Sequence, residues 1–294
     1  MAFAWDRTEA PQPVVQPEVS RRIWLCADDY GISLAVNAAI RDLVVRGRIN
    51  ATSAMTVAPS LTRSEAVSLT MLNAGGRRVA LGLHVTLTGP FRPLSKGFEP
   101  LDDGAFLSLE DMMKAAILRR LRPALLDAEV RAQLAAFVTL FGRPPDFIDG
   151  HRHVHLFPRI RNAVLAAAKE LAPGAWVRQC GSTGPIGQRL SDPKGLLVDW
   201  LSRGLTRRAR ALGVPTNPAF AGTYTYRPDA DFAALFPRFL AVTPEAGVVM
   251  CHPGVVDAEL ERLDPLTTLR EREYAYFLDD GFPGVLAAHG VVLA

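Results

Sequence analysis

Residues 21–33 read Arg21-Arg-Ile-Trp-Leu-Cys-Ala-Asp-Asp-Tyr-Gly-Ile-Ser33. The compact apolar run suits a strand buried on both faces, and it ends in two adjacent carboxylates, Asp28 and Asp29. Ser33 is suited to cap the helix that follows. From Leu34 to Arg46, Val36, Ile40, Leu43 and Val44 form one apolar stripe, and Gly47 stops the helix. Strand, acidic tip, capped helix: this is one βα unit, and the rest of the chain repeats its logic.

Working outward, strands are expected near Ala51–Val57, Arg78–Leu83, Phe147–Asp149, Ala175–Arg178 and Glu245–Met250. Between them the pattern predicts helices over Arg63–Asn73, Leu109–Leu121, Asp127–Phe141, Ile160–Leu171 and about Pro193–Leu212. A last helix over Leu266–Leu278 precedes a short helix and a strand at Val291–Leu293. Such alternation means a parallel sheet covered by helices, fold class α/β. Closed on itself it is a TIM-barrel-like (β/α) barrel, with its active site at the carboxyl ends of the strands. The Pro- and Gly-rich segment Gly89–Ser108 reads as a long loop over one end. Residues 1–20, broken by Pro11, Pro13 and Pro17, read as a flexible N-terminal arm, and residues 21–294 as one domain without a splitting linker.

The 294 residues are 49% hydrophobic and 21% charged, as a globule with a sizeable core requires. A formal charge of +3 is too small to imply nucleic acid, and the basic run Arg203–Arg210 reads as a solvated helix face. Cys26, Cys180 and Cys251 are scattered, with no Cys-x-x-Cys spacing, so neither a disulfide framework nor a zinc knuckle is supported. The N-terminal residues do not form a signal peptide, and no apolar run of about 18 residues is present to span a membrane. A reducing cytoplasm is the expected compartment.

The chemistry gathers at strand ends. Asp28 and Asp29 repel each other and are costly to bury without a cation; one could bind a metal and leave the other as a base, or one could cap the next helix. His84 ends the third strand in Leu81-Gly-Leu-His84. Asp149-Gly-His-Arg-His-Val-His155 sets His151, His153 and His155 beside a carboxylate, sharing one face if extended or fanning out over a loop. A barrel brings Asp29, His84 and His151 together as two imidazoles and a carboxylate, a donor set that leaves a divalent ion open to water and substrate. His252 ends a late strand and suits a general acid, although alone it reads as a turn histidine. Arg178 could bind substrate, steady Asp28 or form a structural ion pair. Gly181–Gly187 is a weak phosphate-loop candidate. Ser53, Ser182 and Cys251 are conceivable nucleophiles, but none lies in a Gly-x-Ser-x-Gly elbow.

Taken together, Ala27-Asp-Asp-Tyr-Gly-Ile-Ser33 with Asn37, Gly82-Leu-His84, Ile148-Asp-Gly-His-Arg-His-Val-His155 with Pro158, His252-Pro-Gly254 and Arg270-Glu-Arg-Glu273 resemble the YdjC-like carbohydrate deacetylases. The resemblance runs from Arg21 to the C-terminus. It implies a distorted (β/α) barrel that removes the acetyl group from an N-acetylated sugar. By position it implies Asp29, His84 and His151 as metal ligands, Asp28 as catalytic base and His252 as acid. Asp149, His153 and Arg178 fall to substrate binding or to support of those residues, and His155 to a structural role. The family's ion is usually given as magnesium, whereas two imidazoles suit zinc or another transition metal. A homodimer is expected by analogy. Tyr30 stands where phenylalanine is usual, and Arg152 where a smaller polar residue or histidine is common. The alternatives are a barrel metallohydrolase of another bond, or a non-catalytic sugar-binding relative.

Overall fold

A computed structural model describes residues 20–76, 78–182 and 193–293. The expected arm, residues 1–20, lies outside them except for Ser20, as does most of the glycine-rich segment Gly181–Gly187. In chain order the elements are β1 (Arg21–Tyr30), α1 (Leu34–Val45), β2 (Ala51–Ala54), α2 (Arg63–Met71), β3 (Ala80–Val85), β4 (Leu101–Asp102), β5 (Ala105–Phe106), α3 (Leu109–Ile117), α4 (Pro123–Phe141) and β6 (Phe147–Gly150). A 3-10 turn over His151–Leu156 leads to α5 (Ile160–Leu171), β7 (Trp176–Val177), α6 (Pro193–Leu212), β8 (Phe220–Ala221), α7 (Phe232–Val242), β9 (Val248–Cys251), α8 (Ala258–Leu263), α9 (Thr268–Leu278), α10 (Phe282–Ala288) and β10 (Val291–Leu293).

The parallel strands follow the order β7-β6-β3-β2-β1-β9-β8, and β10 pairs with the start of β1. The two ends of that order meet. Val177 bridges to Thr216 in parallel and its N–H donates to the Pro215 carbonyl at 2.9 Å, in the run that leads into β8. With β7 and β8 only two residues each, the ring is regular on one side and barely paired on the other. That is a distorted (β/α) barrel. β2, β3, β6 and β9 are buried along their whole length, as strands with helices on one face and a packed interior on the other must be.

Local chemistry sets several boundaries. Ser33 caps α1 by accepting the Val36 N–H, as its sequence position predicts. β1 runs on through Tyr30, three residues past the expected end. Its register against β2 slips there, Ala27 facing Thr52 but Tyr30 facing Ala54. The extra residue is a bulge, and Asp29 adopts φ 69°. Bulges re-aim side chains, and positive φ in a non-glycine residue is costly, so it persists only where the surroundings impose it. Gly82 in β3 cannot carry a side chain, because a Cβ would lie 2.3 Å from the Phe147 ring of β6. That ring stacks on Trp176 of β7 at 4.6 Å.

The C-terminal helices are held by a separate aromatic cluster. Phe236 of α7 and Phe277 of α9 pack edge-on with centroids 5.4 Å apart, and both meet Phe282 of α10. This cluster seats α9 against the barrel mouth. The long loop over 89–108 contains the β4–β5 hairpin and is pinned by buried Glu129, whose carboxylate accepts the Leu94 and Ser95 N–H groups. No helix among the described residues is long and apolar enough to cross a membrane.

Candidate active site

Strand register does most of the assembly. β3 and β6 pair with His84 opposite Asp149, so the two side chains leave the sheet on one face and the His84 Nδ1–H donates to Asp149 Oδ1 at 2.6 Å. Pairing of Ala27 with Cys251 brings His252 out of β9 level with Asp28. The bulge in β1 turns Asp29 toward His84 Nε2, 3.2 Å from its Oδ1, and toward His151 Nδ1, 2.9 Å away. Asp29, His84 and His151 are all buried, and one donor atom from each lies within 4.8 Å of the others. The structure therefore brings together the three side chains that the sequence analysis groups as metal ligands.

The histidine run does not stay extended. Gly150 ends β6, and Arg152 and His153 take φ values of 52° and 59°, so the three rings fan out. His151 faces Asp29. His153 lies beside Cys180 Sγ, its Nδ1 at 3.6 Å, away from the ligand cluster. His155 is fully buried and donates from Nε2 to the Arg178 carbonyl at 2.8 Å. Burial holds both His153 and His155 down at a pKa of about 3, so both are neutral near pH 7.

Arg178 is wholly enclosed. Its guanidinium donates to Asp28 through two bonds of 2.7 Å, meets Asp149 Oδ2 at 2.6 Å and reaches Cys26 Sγ at 2.9 Å. Cys26, Asp28 and Asp149 also converge as a donor set, but this guanidinium fills their centre, which leaves no space for an ion. Of the three roles open to Arg178 in the sequence, the geometry fits the steadying of Asp28. Burial opposes charge on Asp28, yet the guanidinium beside it holds the carboxyl well below the usual range. Asp29 is likewise held low despite burial, by Arg270, whose NH2 donates to Asp29 Oδ2 at 2.6 Å.

Charge supports a cation here. Asp28, Asp29 and Asp149 face two guanidiniums, from Arg178 and Arg270, which leaves one carboxylate unbalanced. His84 stands against two of these carboxylates, Asp29 and Asp149. Burial alone would lower its pKa, but Asp149, with Asp29 and Asp28, carries it up to about 10. His84 Nε2, 3.2 Å from Asp29 Oδ1, faces the place that a divalent ion would take. Two imidazoles and a carboxylate, with Asp149 on the outer nitrogen of one imidazole, fit a transition-metal site.

Ser53 is buried with its Oγ 2.9 Å from His84 Nδ1. Asp149 approaches that same nitrogen. A Ser-His-Asp relay needs the two contacts on opposite ring nitrogens, so this is not a nucleophile pair. His252 is half-buried, and burial lowers its pKa to about 4. Its backbone N–H donates to Glu273 Oε2 at 2.5 Å, while Tyr224 donates its hydroxyl to Oε1 at 2.6 Å. Burial pushes Glu273 up to about 7 against those two bonds. Phe91, from the covering loop, meets the His151 ring edge-on at 5.8 Å.

Arg270, Glu273 and Asp264 have no site role in the sequence reading. The first two belong to the motif Arg270-Glu-Arg-Glu273, whose spacing of three places both on one helical face. That shared helical face was the signal available in the sequence; in the structure both residues are fully buried. Asp264 carries none.

The YdjC-like protein family's sequence profile matches residues 22–288. A carbohydrate deacetylase of Clostridium beijerinckii is 34% identical over 151 residues, 51% of this chain and 57% of that protein. The matched part thus spans little more than half of that relative. A chitooligosaccharide deacetylase of Serratia marcescens is 28% identical over 240 residues, 80% of this chain and 82% of that protein. Among solved structures, one described as a cellobiose-phosphate cleavage protein of Enterococcus faecalis V583 superposes with a TM-score of 0.70 at 20% identity, covering 94% of this chain and 97% of the other. At that identity the likeness establishes the fold.

Proposed function

This chain belongs to the YdjC-like family, and on that premise we propose that it is a metal-dependent hydrolase that removes the acetyl group from an N-acetylated sugar. The observation that carries the reading is the convergence of Asp29, His84 and His151 beside the Arg178-paired Asp28, all buried at the strand ends. The names of the relatives, a carbohydrate deacetylase and a chitooligosaccharide deacetylase, point to an amide on a sugar. Zinc or another first-row transition ion suits the two imidazoles better than magnesium does.

A divalent ion held there by Asp29, His84 and His151 would supply Lewis-acid polarisation of the acetyl carbonyl and a water of lowered pKa. The side chains do the rest. Asp29, its second oxygen taken by Arg270, would leave Oδ1 to hold the ion together with His84 and His151. Asp28 takes the proton of the attacking water; Arg178 occupies one lone pair on each of its oxygens and fixes the carboxylate in place. His252 hands a proton to the departing amine. It is neutral in the free protein, so it first accepts the proton that Asp28 has taken from the water and then passes it to the amine, which leaves both groups as they began.

Replacing Asp28 by Asn keeps the shape of the side chain and removes the base. Acetate release from N-acetylglucosamine oligomers should fall by about 10²- to 10⁴-fold with the fold unchanged by circular dichroism. Full activity in Asp28→Asn would contradict the assignment.

A further inference from the structure

The two histidines of the cluster present different ring atoms to Asp29, His84 through Nε2 and His151 through Nδ1. Each therefore has an outer nitrogen to settle. For His84 it is Nδ1, hydrogen-bonded to Asp149 at 2.6 Å. For His151 it is Nε2, which is buried and has no hydrogen-bond partner among the described residues. A buried imidazole nitrogen left so is costly, and what faces it decides whether it carries the proton.

What faces it is Asp264. Its Oδ2 lies 3.9 Å from His151 Nε2, and the residue is 6% exposed. Asp264 ends α8, and its other oxygen accepts the Leu266 N–H at 2.7 Å, which aims Oδ2 back toward the cluster. Arg152 and Arg270 stand near the same oxygen at 3.6 and 3.8 Å, too far for hydrogen bonds. A gap of 3.9 Å is too narrow for an intervening water and about 1 Å too long for a direct bond. A carboxylate accepts and cannot donate. Once an ion takes the Nδ1 lone pair, in place of the 2.9 Å hydrogen bond to Asp29, the ring hydrogen must sit on Nε2, and the carboxylate of Asp264 suits it there.

We propose that Asp264 is a positioning residue for the metal centre: it draws the His151 proton to Nε2 and so keeps Nδ1 as the ligating atom. It does for His151 what Asp149 does for His84. The proposal rests on the metal centre described above, and on the general rule that a ligating histidine donates its outer N–H to such a partner. The two supports arrive by different routes. Asp149 is set by strand register, whereas Asp264 comes from the α8–α9 connection more than a hundred residues away in sequence.

The test is Asp264→Asn. Its side-chain oxygen can still accept the Leu266 N–H, while its amide turns a donor toward Nε2. Two measurements on the full chain decide the matter. Zinc affinity, read by competition with a chromophoric chelator, should fall by about 10- to 100-fold relative to wild type. The ¹⁵N shifts of the His151 ring in the zinc-bound protein should report hydrogen on Nε2 in wild type, and loss of that signature in the variant. A role confined to the α8 terminus predicts a lowered melting temperature with zinc affinity and ring shifts unmoved, and that result would overturn the proposal. Wild-type protein that takes up no zinc or other divalent ion contradicts the metal centre itself. Zinc bound equally tightly by both proteins, with unchanged ring shifts, overturns the role of Asp264 alone.

Discussion

On the β1–β3–β6 side of the centre, functional groups leave the ends of paired strands and satisfy one another at 2.6–2.9 Å: His84 with Asp149, His151 with Asp29, Arg178 with Asp28. On the opposite side, Arg270 and Glu273 reach in from the body of α9, and the contacts of Asp264 Oδ2 stay at 3.6–3.9 Å. One wall is fixed by the hydrogen-bond ladder of the sheet. The other is fixed by side-chain packing of α7, α9 and α10 around Phe236, Phe277 and Phe282. The strand wall is a network of direct hydrogen bonds and ion pairs among buried side chains. On the helix wall Arg270 and Glu273 make contacts of 2.5–2.6 Å, and the slack is confined to the Asp264 oxygen that faces His151.

The largest effect that would break this contrast comes from Arg178→Met. It strands two buried carboxylates, Asp28 and Asp149, and should cost about 3–5 kcal/mol in urea unfolding, with added zinc giving little rescue. Arg270→Met strands only Asp29 at close range. Its cost should be smaller, and saturating zinc should recover much of it, because the ion then compensates that carboxylate. Equal losses with equal rescue would mean that the walls do not differ.

A middle-sized effect sharpens the strand wall. His155 is held at a pKa of about 3, against about 6.5 in an unfolded chain. Between those values the unfolded state binds the extra proton, so stability falls as pH drops from 6.5 toward 3. The single residue accounts for about 2 kcal/mol by pH 5. His155→Gln should flatten the pH dependence of unfolding between pH 7 and 5 by that order. An unchanged slope would remove His155 as its source.

The smallest effect belongs to the helix wall. Tyr224→Phe removes one of the two hydrogen bonds that oppose the burial of Glu273 and should cost about 1 kcal/mol in thermal unfolding. A much larger loss would mean that the helix wall is as tightly set as the strand wall.

What the sequence disclosed follows the same division. β1, the Ser33 cap and the bounds of α5 and α6 are legible because each rests on local signals: an apolar run, a capping side chain, a period of 3.6. Asp28, Asp29, His84, His151 and His252 are legible because polar groups at the ends of apolar strands converge in any barrel. β8 is not legible, since two residues carry no alternation. Neither is α7, whose nearly unbroken apolar run with Pro237 inside hides its period. The bulge at Asp28–Asp29 and the nearness of Asp264 to His151 arise from register and tertiary packing, which no local pattern encodes.

The most direct test of the central claim is acetate release from N-acetylglucosamine oligomers by protein stripped with a chelator, then titrated with zinc, alongside His151→Ala. The account predicts no release from the stripped protein, recovery as about one equivalent of zinc is added, and none at any zinc concentration in His151→Ala. Undiminished release after stripping, or from His151→Ala, would contradict it.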